Sequence, residues 1–205
     1  MTACFGSGSP TFEFAMKKDK VVPVQNEEVS TVGPYDFAAT VKSISDFPIP
    51  GVVFRDLSPL WQDAEMSKKA ITQMAQDVVL STGKPDVVVG IESRGFIYGM
   101  ALALHWNIPF VPFRKSGKLP GQVLRESFQL EYGSAELECQ VGAIHRGDRV
   151  LVHDDVIATG GTAEAAQKLI EQTGASLVGF SFVIELRNLK GRDRLSAPIF
   201  SLITY

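Results

Sequence analysis

Two adjacent carboxylates followed by a glycine-rich turn are the strongest chemical signal in the sequence. The mostly apolar run from Arg149 to Val152 predicts the end of a buried strand, and Asp154 and Asp155 follow it after His153. Residues 158–162 (Ala-Thr-Gly-Gly-Thr) then open a stretch with apolar residues at helical spacing. A helix N-terminus presents unpaired backbone N–H groups at the positive end of the helix dipole, and glycine lets a ligand approach them closely. The turn therefore suits a phosphate.

The carboxylates suit a different part of the same ligand. They would repel a phosphate placed directly on them, but they accept hydrogen bonds from vicinal hydroxyls and attract a cation. A phosphate beside a diol is a ribose 5-phosphate, and Mg²⁺ is the expected ion where a pyrophosphate is also present. The predicted sugar-phosphate residues are Asp154, Asp155, Ala158, Thr159, Gly160, Gly161 and Thr162. The alternative interpretation is a solvated strand end with a Gly-rich turn.

Two further polar groups also follow apolar stretches. Arg94, in the run Glu92-Ser93-Arg94-Gly95, carries a planar fork of donors that fits pyrophosphate oxygens. Arg114, Lys115 and Lys118 surround a glycine, and such a cluster would neutralise a leaving pyrophosphate. The alternatives are an ion pair within the first run and a solvated charged face at the second.

These groups need elements that bring them together. Apolar strands alternate with amphipathic helices, which predicts an α/β fold with a mostly parallel sheet flanked by helices. Strands are predicted at 86–91, near 109–113, up to His153, at 177–185 and at 199–204, and helices at 64–80 and through Met100, Ala103 and Leu104. Groups that follow parallel strands collect at the carboxyl edge of the sheet, where we expect the active groups to cluster.

Two regions depart from this alternation. In residues 122–140 apolar and polar residues nearly alternate, and Gly133-Ser134 predicts a hairpin turn. A two-stranded ribbon is only marginally stable alone, so we expect a lid. Earlier in the chain, Phe37, Val41 and Ile44 fall on one helical face and predict a helix that the following proline-rich run ends.

Composition limits the class of protein. A chain of 205 residues, 45% hydrophobic and 21% charged, can form one α/β domain with a full core. The net charge of −3 predicts no general attraction to nucleic acid or membrane, and no run reaches transmembrane length. Cys4 and Cys139 have no metal-ligand spacing and fit a reducing cytoplasm. Residues 1–35 predict an N-terminal extension that is partly disordered or packs on a partner.

The run from Arg149 to Thr162 resembles the ribose-phosphate signature of type I phosphoribosyltransferases, most closely of the members that act on adenine. Supporting runs, in the family's order, are residues 47–56 (FPIPGVVFRD), 92–96 (ESRGF), 114–121 (RKSGKLPG) and 130–133 (LEYG). The resemblance covers residues 36–205 and implies a phosphoribosyltransferase domain there, with a small hood and a flexible β-hairpin lid at about 114–140. It also implies a non-proline cis peptide in the loop at residues 92–94.

The resemblance implies a purine salvage enzyme that converts adenine and 5-phosphoribosyl 1-pyrophosphate to AMP and pyrophosphate. It implies a cytoplasmic homodimer that binds neither nucleic acid nor membrane, with Mg²⁺ held mainly through substrate and water near Asp154 and by no direct protein ligand. One alternative is a 6-oxopurine phosphoribosyltransferase, but those enzymes usually have an Asp where Ala158 stands. The other is a non-catalytic regulator that senses the same ribose compound, which would need a basic face.

The resemblance also assigns roles to individual residues. Catalysis falls to Arg94 and Glu131, with Glu131 the candidate for handling the purine N7 proton. The pyrophosphate residues are Glu92, Ser93, Arg94, Arg114, Lys115, Lys118 and Tyr132, the last of which would also assist lid closure. Adenine would be read through main-chain groups of Val53, Phe54 and Arg55, with Phe54 stacking on one face and Leu186 covering the other. For Phe54 and Leu186 the alternative is ordinary core packing.

Overall fold

An eight-stranded sheet organises the chain, in a computed structural model that describes residues 29–31, 33–129 and 134–205. The strands are β1 (Ser30–Thr31), β2 (Lys42–Ser45), β3 (Val53–Asp56), β4 (Val87–Ile91), β5 (Phe110–Lys115), β6 (Val123–Gln129), β7 (Ser134–Gln140), β8 (Arg149–Ile157), β9 (Ser176–Glu185) and β10 (Ile199–Thr204). The helices are α1 (Ser58–Gln62), α2 (Ala64–Thr82), α3 (Gly95–Trp106) and α4 (Gly161–Thr173), with 3₁₀ turns at Ala38–Thr40, Arg187–Leu189 and Gly191–Arg194.

The sheet is parallel at its centre and antiparallel at both edges. Its strand order is β1-β10-β9-β8-β4-β5-β7-β6, and the strands from β10 to β5 are parallel to one another. The outer strands β1, β7 and β6 are antiparallel to their neighbours. β2 and β3 form a separate two-stranded antiparallel sheet. The predicted α/β class is confirmed.

Helices cover both faces of the sheet, which explains why its central strands are continuously apolar. All five residues of β4 are buried. Val88 packs with α2 and α3 in one apolar cluster, whereas Val87 and Val89 pack with α4 in the other. Alternate side chains of a strand point to opposite faces, so each face needs its own apolar residues.

The direction of strand succession reverses between β4 and β8. From β4 the chain adds β5 on one side, and later returns to place β8, β9 and β10 on the other. Such a reversal opens a crevice at the carboxyl ends of the two strands that flank it. The loops after β4 and β5 and the end of β8 therefore meet at one edge, as predicted.

The predicted helix around Phe37, Val41 and Ile44 is wrong. Ala38–Thr40 form a single 3₁₀ turn, and Lys42–Ser45 form β2. Ile44 pairs with Phe54 of β3. Val41 and Ile44 are β-branched and favour extended backbone, and pairing with β3 outweighs their helical spacing.

The described part of the ribbon belongs to the main sheet and does not project from it. Phe128, Leu137 and Cys139 are buried in the cluster that contains α4. Gln172 of α4 also donates a hydrogen bond from Nε2 to Oε2 of Glu126, at 3.1 Å. The predicted lid, about residues 114–140, therefore packs on the sheet where it is described and stays a prediction as a moving element; residues 130–133 lie outside the described residues.

Most of the predicted N-terminal extension, residues 1–28 and Val32, also lies outside the described residues. Within the described part, Ser30 and Thr31 pair with Thr204 and Ile203 and add a short edge strand to the sheet. In the chain that is described, none of the helices has both the length and the apolar character needed to cross a membrane.

Candidate active site

Strand β8 runs through the acid pair and does not end before it. Because β8 continues to Ile157, Asp154 and Asp155 are strand residues; Asp155 is 5% exposed and Asp154 is half-buried. The N–H of Asp155 donates to Oδ1 of Asp154 at 2.9 Å. Gly160 is the N-cap of α4, has a φ of 80°, and leaves the first turn without a side-chain cap. The N-terminus of α4 thus offers backbone donors just beyond two carboxylates.

Glu92 holds the cationic loop, residues 114–118, on the neighbouring strand. Its Oε1 accepts from Arg114, at 3.3 Å, and from Lys118, and its Oε2 accepts the N–H of Lys115 at 3.0 Å. Burial tends to raise the pKa of Glu92, but these hydrogen bonds outweigh burial and lower the pKa. Glu92 is therefore charged, and its partners are the loop cations and not Arg94. The Glu92–Ser93 peptide bond is cis, in agreement with the resemblance.

Arg94 connects the loop after β4 with the acid pair. Its Nε lies 2.7 Å from Oδ2 of Asp155, and its guanidinium carbon lies 5.4 Å from the ring centroid of Phe54. The next residue, Gly95, allows α3 to begin against β8, because a Cβ there would lie 2.8 Å from Oδ1 of Asp154. Arg94 thus lies beside both Asp155, a sugar-phosphate candidate, and Phe54, a base candidate.

Three adjoining cavities share these residues. The largest, about 520 Å³, is lined by Glu92, Ser93, Arg94, Lys115, Lys118, Phe128, Ala135, Leu137, Asp154, Asp155, Val156, Ala158 and Thr162. A small cavity of about 90 Å³ inside the glycine turn, residues 158–162, shares Asp154, Val156, Ala158 and Thr162 with it and is also lined by Thr159, Gly160 and Gly161. A third, about 300 Å³, shares Arg94 and is lined by Ile44, Phe47, Phe54, Asp56, Ser58 and Trp61. The arrangement can hold a ligand with a small anionic end, a charged centre and a flat apolar end.

The four predicted adenine residues are not all in one place. Phe54 lines the third cavity, whereas Val53 is half-buried and pairs with Ser45. The guanidinium carbon of Arg55 lies 3.8 Å from the ring centroid of Tyr205. Leu186 is half-buried against the α2 and α3 side of the core. Among the described residues β3 pairs with β2, and the reading of adenine by its main-chain groups stays a prediction.

The charges of Asp154 and Asp155 are unfavourable where the structure places them, because both are partly or fully buried and lie next to each other. Burial and the neighbouring charge of Asp155 raise the pKa of Asp154 well above its usual value. Burial also raises the pKa of Asp155, although Arg94 opposes this. The preceding residue, His153, is fully buried, and burial lowers its pKa to about 3, so it is neutral and gives the acids no positive charge. A bound diol or cation would relieve the repulsion between the two carboxylates.

Sequence reasoning missed Glu138, a second carboxylate beneath the cationic loop. It is 1% exposed and accepts from Ser116 Oγ at 3.1 Å, from the Gly117 N–H at 3.0 Å and from Arg125 Nε at 2.7 Å. Burial raises its pKa, but these donors outweigh burial and lower it. The available signal was one charged residue inside the apolar part of β7. The apolar lining of the third cavity by Phe47 and Trp61 was also missed.

The two ribbon residues with assigned roles, Glu131 and Tyr132, lie outside the described residues. On either side of them, Phe128 of β6 and Ala135 of β7 line the largest cavity. The ribbon therefore borders the site, and the roles of Glu131 and Tyr132 stay predictions.

The sequence matches one family model. The model described as "Phosphoribosyl transferase domain" matches residues 62–204. The chain is 48% identical to the adenine phosphoribosyltransferase of Synechococcus sp. (strain CC9605) over 172 residues, which cover 83% of this chain and 99% of that protein. Both matches include the loop after β4, the cationic loop and the glycine turn.

Solved structures agree with these matches. The adenine phosphoribosyltransferase of Saccharomyces cerevisiae, solved with D-2,5-dideoxy-2,5-imino-altritol 1,6-bisphosphate and adenine, is 41% identical, with a TM-score of 0.79, and the match covers 81% of this chain and 96% of that one. The enzyme of Rhodothermus marinus is 46% identical, with a TM-score of 0.77, and the match covers 82% and 96%. The similarity thus extends over almost the whole of each of these structures.

Proposed function

Because the chain belongs to the type I phosphoribosyltransferase family, and within it to the adenine phosphoribosyltransferases, we propose that it converts adenine and 5-phosphoribosyl 1-pyrophosphate to AMP and pyrophosphate in cytoplasmic purine salvage. The observation that carries this proposal is the row of three adjoining cavities, in which Arg94 and Asp154 each line two. The yeast relative binds adenine together with a sugar-like bisphosphate, and these ligands correspond to the flat and anionic ends of such a row.

The reaction transfers one group, the phosphoribosyl group of the pyrophosphoryl sugar, between two nucleophiles. N9 of adenine forms a bond to the anomeric carbon while the bond from that carbon to the pyrophosphate oxygen breaks, and the base loses its N7 proton to Glu131. The glycine turn binds the 5-phosphate through backbone N–H groups, and Asp154 and Asp155 accept from the ribose hydroxyls. Arg94, Arg114, Lys115 and Lys118 neutralise the departing pyrophosphate, with Glu92 and Ser93 shaping that site. Holding both substrates together lowers the barrier by about 7–11 kcal/mol.

The base binds in the cavity that contains Phe54. The ring stacks on Phe54, and main-chain groups of residues 53–55 read the adenine donor–acceptor pattern. Leu186 covers the other ring face. Glu131 handles the N7 proton, and Tyr132 closes over the pyrophosphate, which keeps water from the activated sugar.

Mg²⁺ fits the residues that are present. It would be held mainly through the substrate phosphates and water, with no direct protein ligand, and the negative charge of the nearby Asp154 would attract it. No cluster of three or more ligating side chains occurs in the described parts of the chain. When bound with the sugar, Mg²⁺ supplies neutralisation of pyrophosphate charge. Chelation with EDTA should abolish turnover, and added Mg²⁺ should restore it.

A panel of bases tests the choice of substrate. Adenine, hypoxanthine, guanine and xanthine are each supplied with the pyrophosphoryl sugar and Mg²⁺, and release of pyrophosphate is measured. We expect adenine to be used fastest, because Ala158 provides no acid or base for a 6-oxopurine. Faster turnover of hypoxanthine would overturn the base assignment, and no turnover of any base would overturn the reaction.

We also propose a homodimer that forms through one face of α3. Ile97, Met100 and Leu104 lie at helical spacing on this helix and are 44%, 45% and 72% exposed. The same helix begins next to Arg94, so Ile97 lies about one helical turn from a site residue. Leu104→Glu should convert a dimer to a monomer in light scattering. Leu80→Glu, at an 86% exposed position on α2, should leave the dimer intact, and a monomeric wild type would end this proposal.

A further inference from the structure

The glycine turn rests directly on another part of the backbone. A Cβ built on Gly191 would lie 2.3 Å from the carbonyl oxygen of Ala158 and 2.8 Å from the N of Gly160. A Cβ on Gly160 would lie at 2.4 Å from the carbonyl oxygen of Gly191. Real Cβ atoms do not approach other atoms so closely, so the two glycines touch because neither has a side chain.

An ion pair with a buried carboxylate anchors the segment that carries Gly191; the Arg192 side chain is 47% exposed and that of Glu185 is 4% exposed. The neighbouring Arg192 donates from Nε and Nη2 to the two carboxylate oxygens of Glu185, at 2.8 and 2.6 Å. Glu185 is 3% exposed and also accepts from Ser201 Oγ at 2.8 Å. These hydrogen bonds, that from Arg192 first among them, lower the pKa of Glu185, so the pair is charged. A two-point contact of this kind fixes the direction of the arginine as well as its position.

The next basic residue on the segment makes a different contact. Arg194 pairs with Glu164 of α4 at 3.2 Å, and the two side chains are 51% and 31% exposed. An exposed pair contributes little to holding a backbone in place. Arg192 and Arg194 are thus two residues apart, of the same type, and differ in whether their carboxylate partner is buried.

We propose that Gly191, held by the Glu185–Arg192 pair, forms the rear wall of the glycine turn and sets the positions of its phosphate-binding N–H groups. Gly191 and Arg192 are then positioning residues for the 5-phosphate, although neither lines the cavities at the site. This inference rests on the proposed function, because it presumes that the turn binds a sugar phosphate. A wall is needed because backbone donors bind an anion well only when they converge on it. A misplacement of about 1 Å can lower the rate of a reaction about 100-fold.

Gly191→Ala tests the contact itself. The expected result is a 10- to 100-fold rise, roughly, in the dissociation constant of AMP and in the KM for the pyrophosphoryl sugar. Binding of pyrophosphate with Mg²⁺, measured by calorimetry, should be unchanged, since the cationic loop is not touched. A weakened affinity for AMP and pyrophosphate alike, or an unchanged affinity for AMP, would overturn the inference.

Arg192→Gln tests the anchor, and Arg194→Gln is the matched control. We expect Arg192→Gln to raise the AMP dissociation constant by about 3-fold or more, Arg192→Lys to raise it less, and Arg194→Gln to leave it unchanged. A purely structural role would lower the melting temperature and the active fraction, and hence kcat, while the KM and AMP affinity of the folded protein stayed at wild-type values. That result would overturn the inference. If the wild type does not turn over adenine, the proposed function is wrong. If the wild type turns over adenine and the Gly191 and Arg192 variants bind AMP normally, only the rear-wall proposal is wrong.

Discussion

The glycine turn and the cationic loop lie on the same edge of the sheet, but the protein holds them in different ways. The turn is fixed by contact between backbones, with Gly191 against residues 158–160. The loop is fixed by charge, with Glu92 on its cations and Glu138 on its backbone. A contact between backbones tolerates no added atom and is insensitive to salt, whereas a charged contact tolerates changes of shape and weakens as ions screen it.

The difference matches what each region would have to do. A 5-phosphate stays attached to the sugar from substrate to product, so a rigid turn can hold it throughout. Pyrophosphate must arrive with the sugar and leave without it, so its cations need an internal partner when the product has gone. Glu92 supplies that partner through Arg114, Lys118 and the Lys115 N–H. Arg94, paired with Asp155, stands between the two regions.

The largest effect should come from Arg94→Ala, which removes the residue that links them. We expect kcat to fall by about 100- to 1,000-fold, the usual loss for one donor to a developing charge. Arg94→Lys keeps the charge but loses the planar fork, and should be intermediate. Steady-state rates, normalised to the folded fraction from circular dichroism, give the comparison. Turnover at the wild-type rate in the alanine variant would remove Arg94 from the mechanism.

A smaller effect, and a dependence on salt, should follow Lys118→Gln. We expect the KM for the pyrophosphoryl sugar to rise by about 10-fold at low salt and the penalty to shrink as the ionic strength increases. The penalty in Gly191→Ala should be the same at both salt concentrations. Lys84→Gln, an exposed lysine just before β4 at the far edge of the sheet, is the control. Equal salt dependence in the Lys118 and Gly191 variants would erase the distinction between the two regions.

Glu138→Gln should sharpen the comparison from beneath the cationic loop. The amide accepts fewer strong hydrogen bonds than the carboxylate that now binds Ser116, Gly117 and Arg125, so the loop should loosen. We expect the KM for the pyrophosphoryl sugar to rise by about 3- to 10-fold, with AMP affinity unchanged. Glu136→Gln is matched to it, because the carbonyl oxygen of the exposed Glu136 accepts the Ser116 N–H, and the substitution keeps that oxygen. Loss of AMP affinity in the Glu138 variant would show that the loop and the turn are not independent.

Glu138 also marks the limit of what the sequence predicts here. Local order was enough to predict β4, α2 and the glycine turn at the start of α4, because apolar period and turn residues act over a few positions. The contacts of Glu138 with Ser116 and Gly117 join residues about twenty positions apart, and no local pattern specifies them.

The same reasoning explains the other misses. Gly191 contacts the glycine turn from more than thirty residues further along the chain, and Ile44 is a strand residue because β3 lies beside it. The fold and the identity of the charged groups follow from the sequence, whereas the residues that position those groups depend on tertiary contacts.

The smallest effect, and one of opposite sign, should come from Asp154→Asn in the absence of ligand. Burial and Asp155 raise the pKa of Asp154 in the folded state. A carboxyl with a raised folded-state pKa contributes stability that is fully present below its unfolded pKa, about 3.9, and is lost as pH rises through the folded value. The wild type therefore carries a cost at neutral pH that an uncharged amide avoids, while the amide oxygen can still accept the Asp155 N–H.

We therefore expect Asp154→Asn to raise the melting temperature at pH 7.5 by about 2–4 °C per kcal/mol of relief, with the gain shrinking towards zero as pH falls below about 4. The same variant should bind AMP less tightly, because it accepts the ribose hydroxyls less strongly. Asp86→Asn is the control, since this exposed carboxylate at the opposite edge also accepts one backbone N–H, from Arg149 at 2.9 Å. Scanning calorimetry across the pH range measures this difference in melting temperature. If Asp154→Asn lowers the melting temperature at pH 7.5, or raises it equally at every pH, then the charge of Asp154 does not destabilise the folded protein. A gain that follows pH would mean that the turn region, rigid in its backbone, keeps an unfavourable charge where the ribose hydroxyls bind.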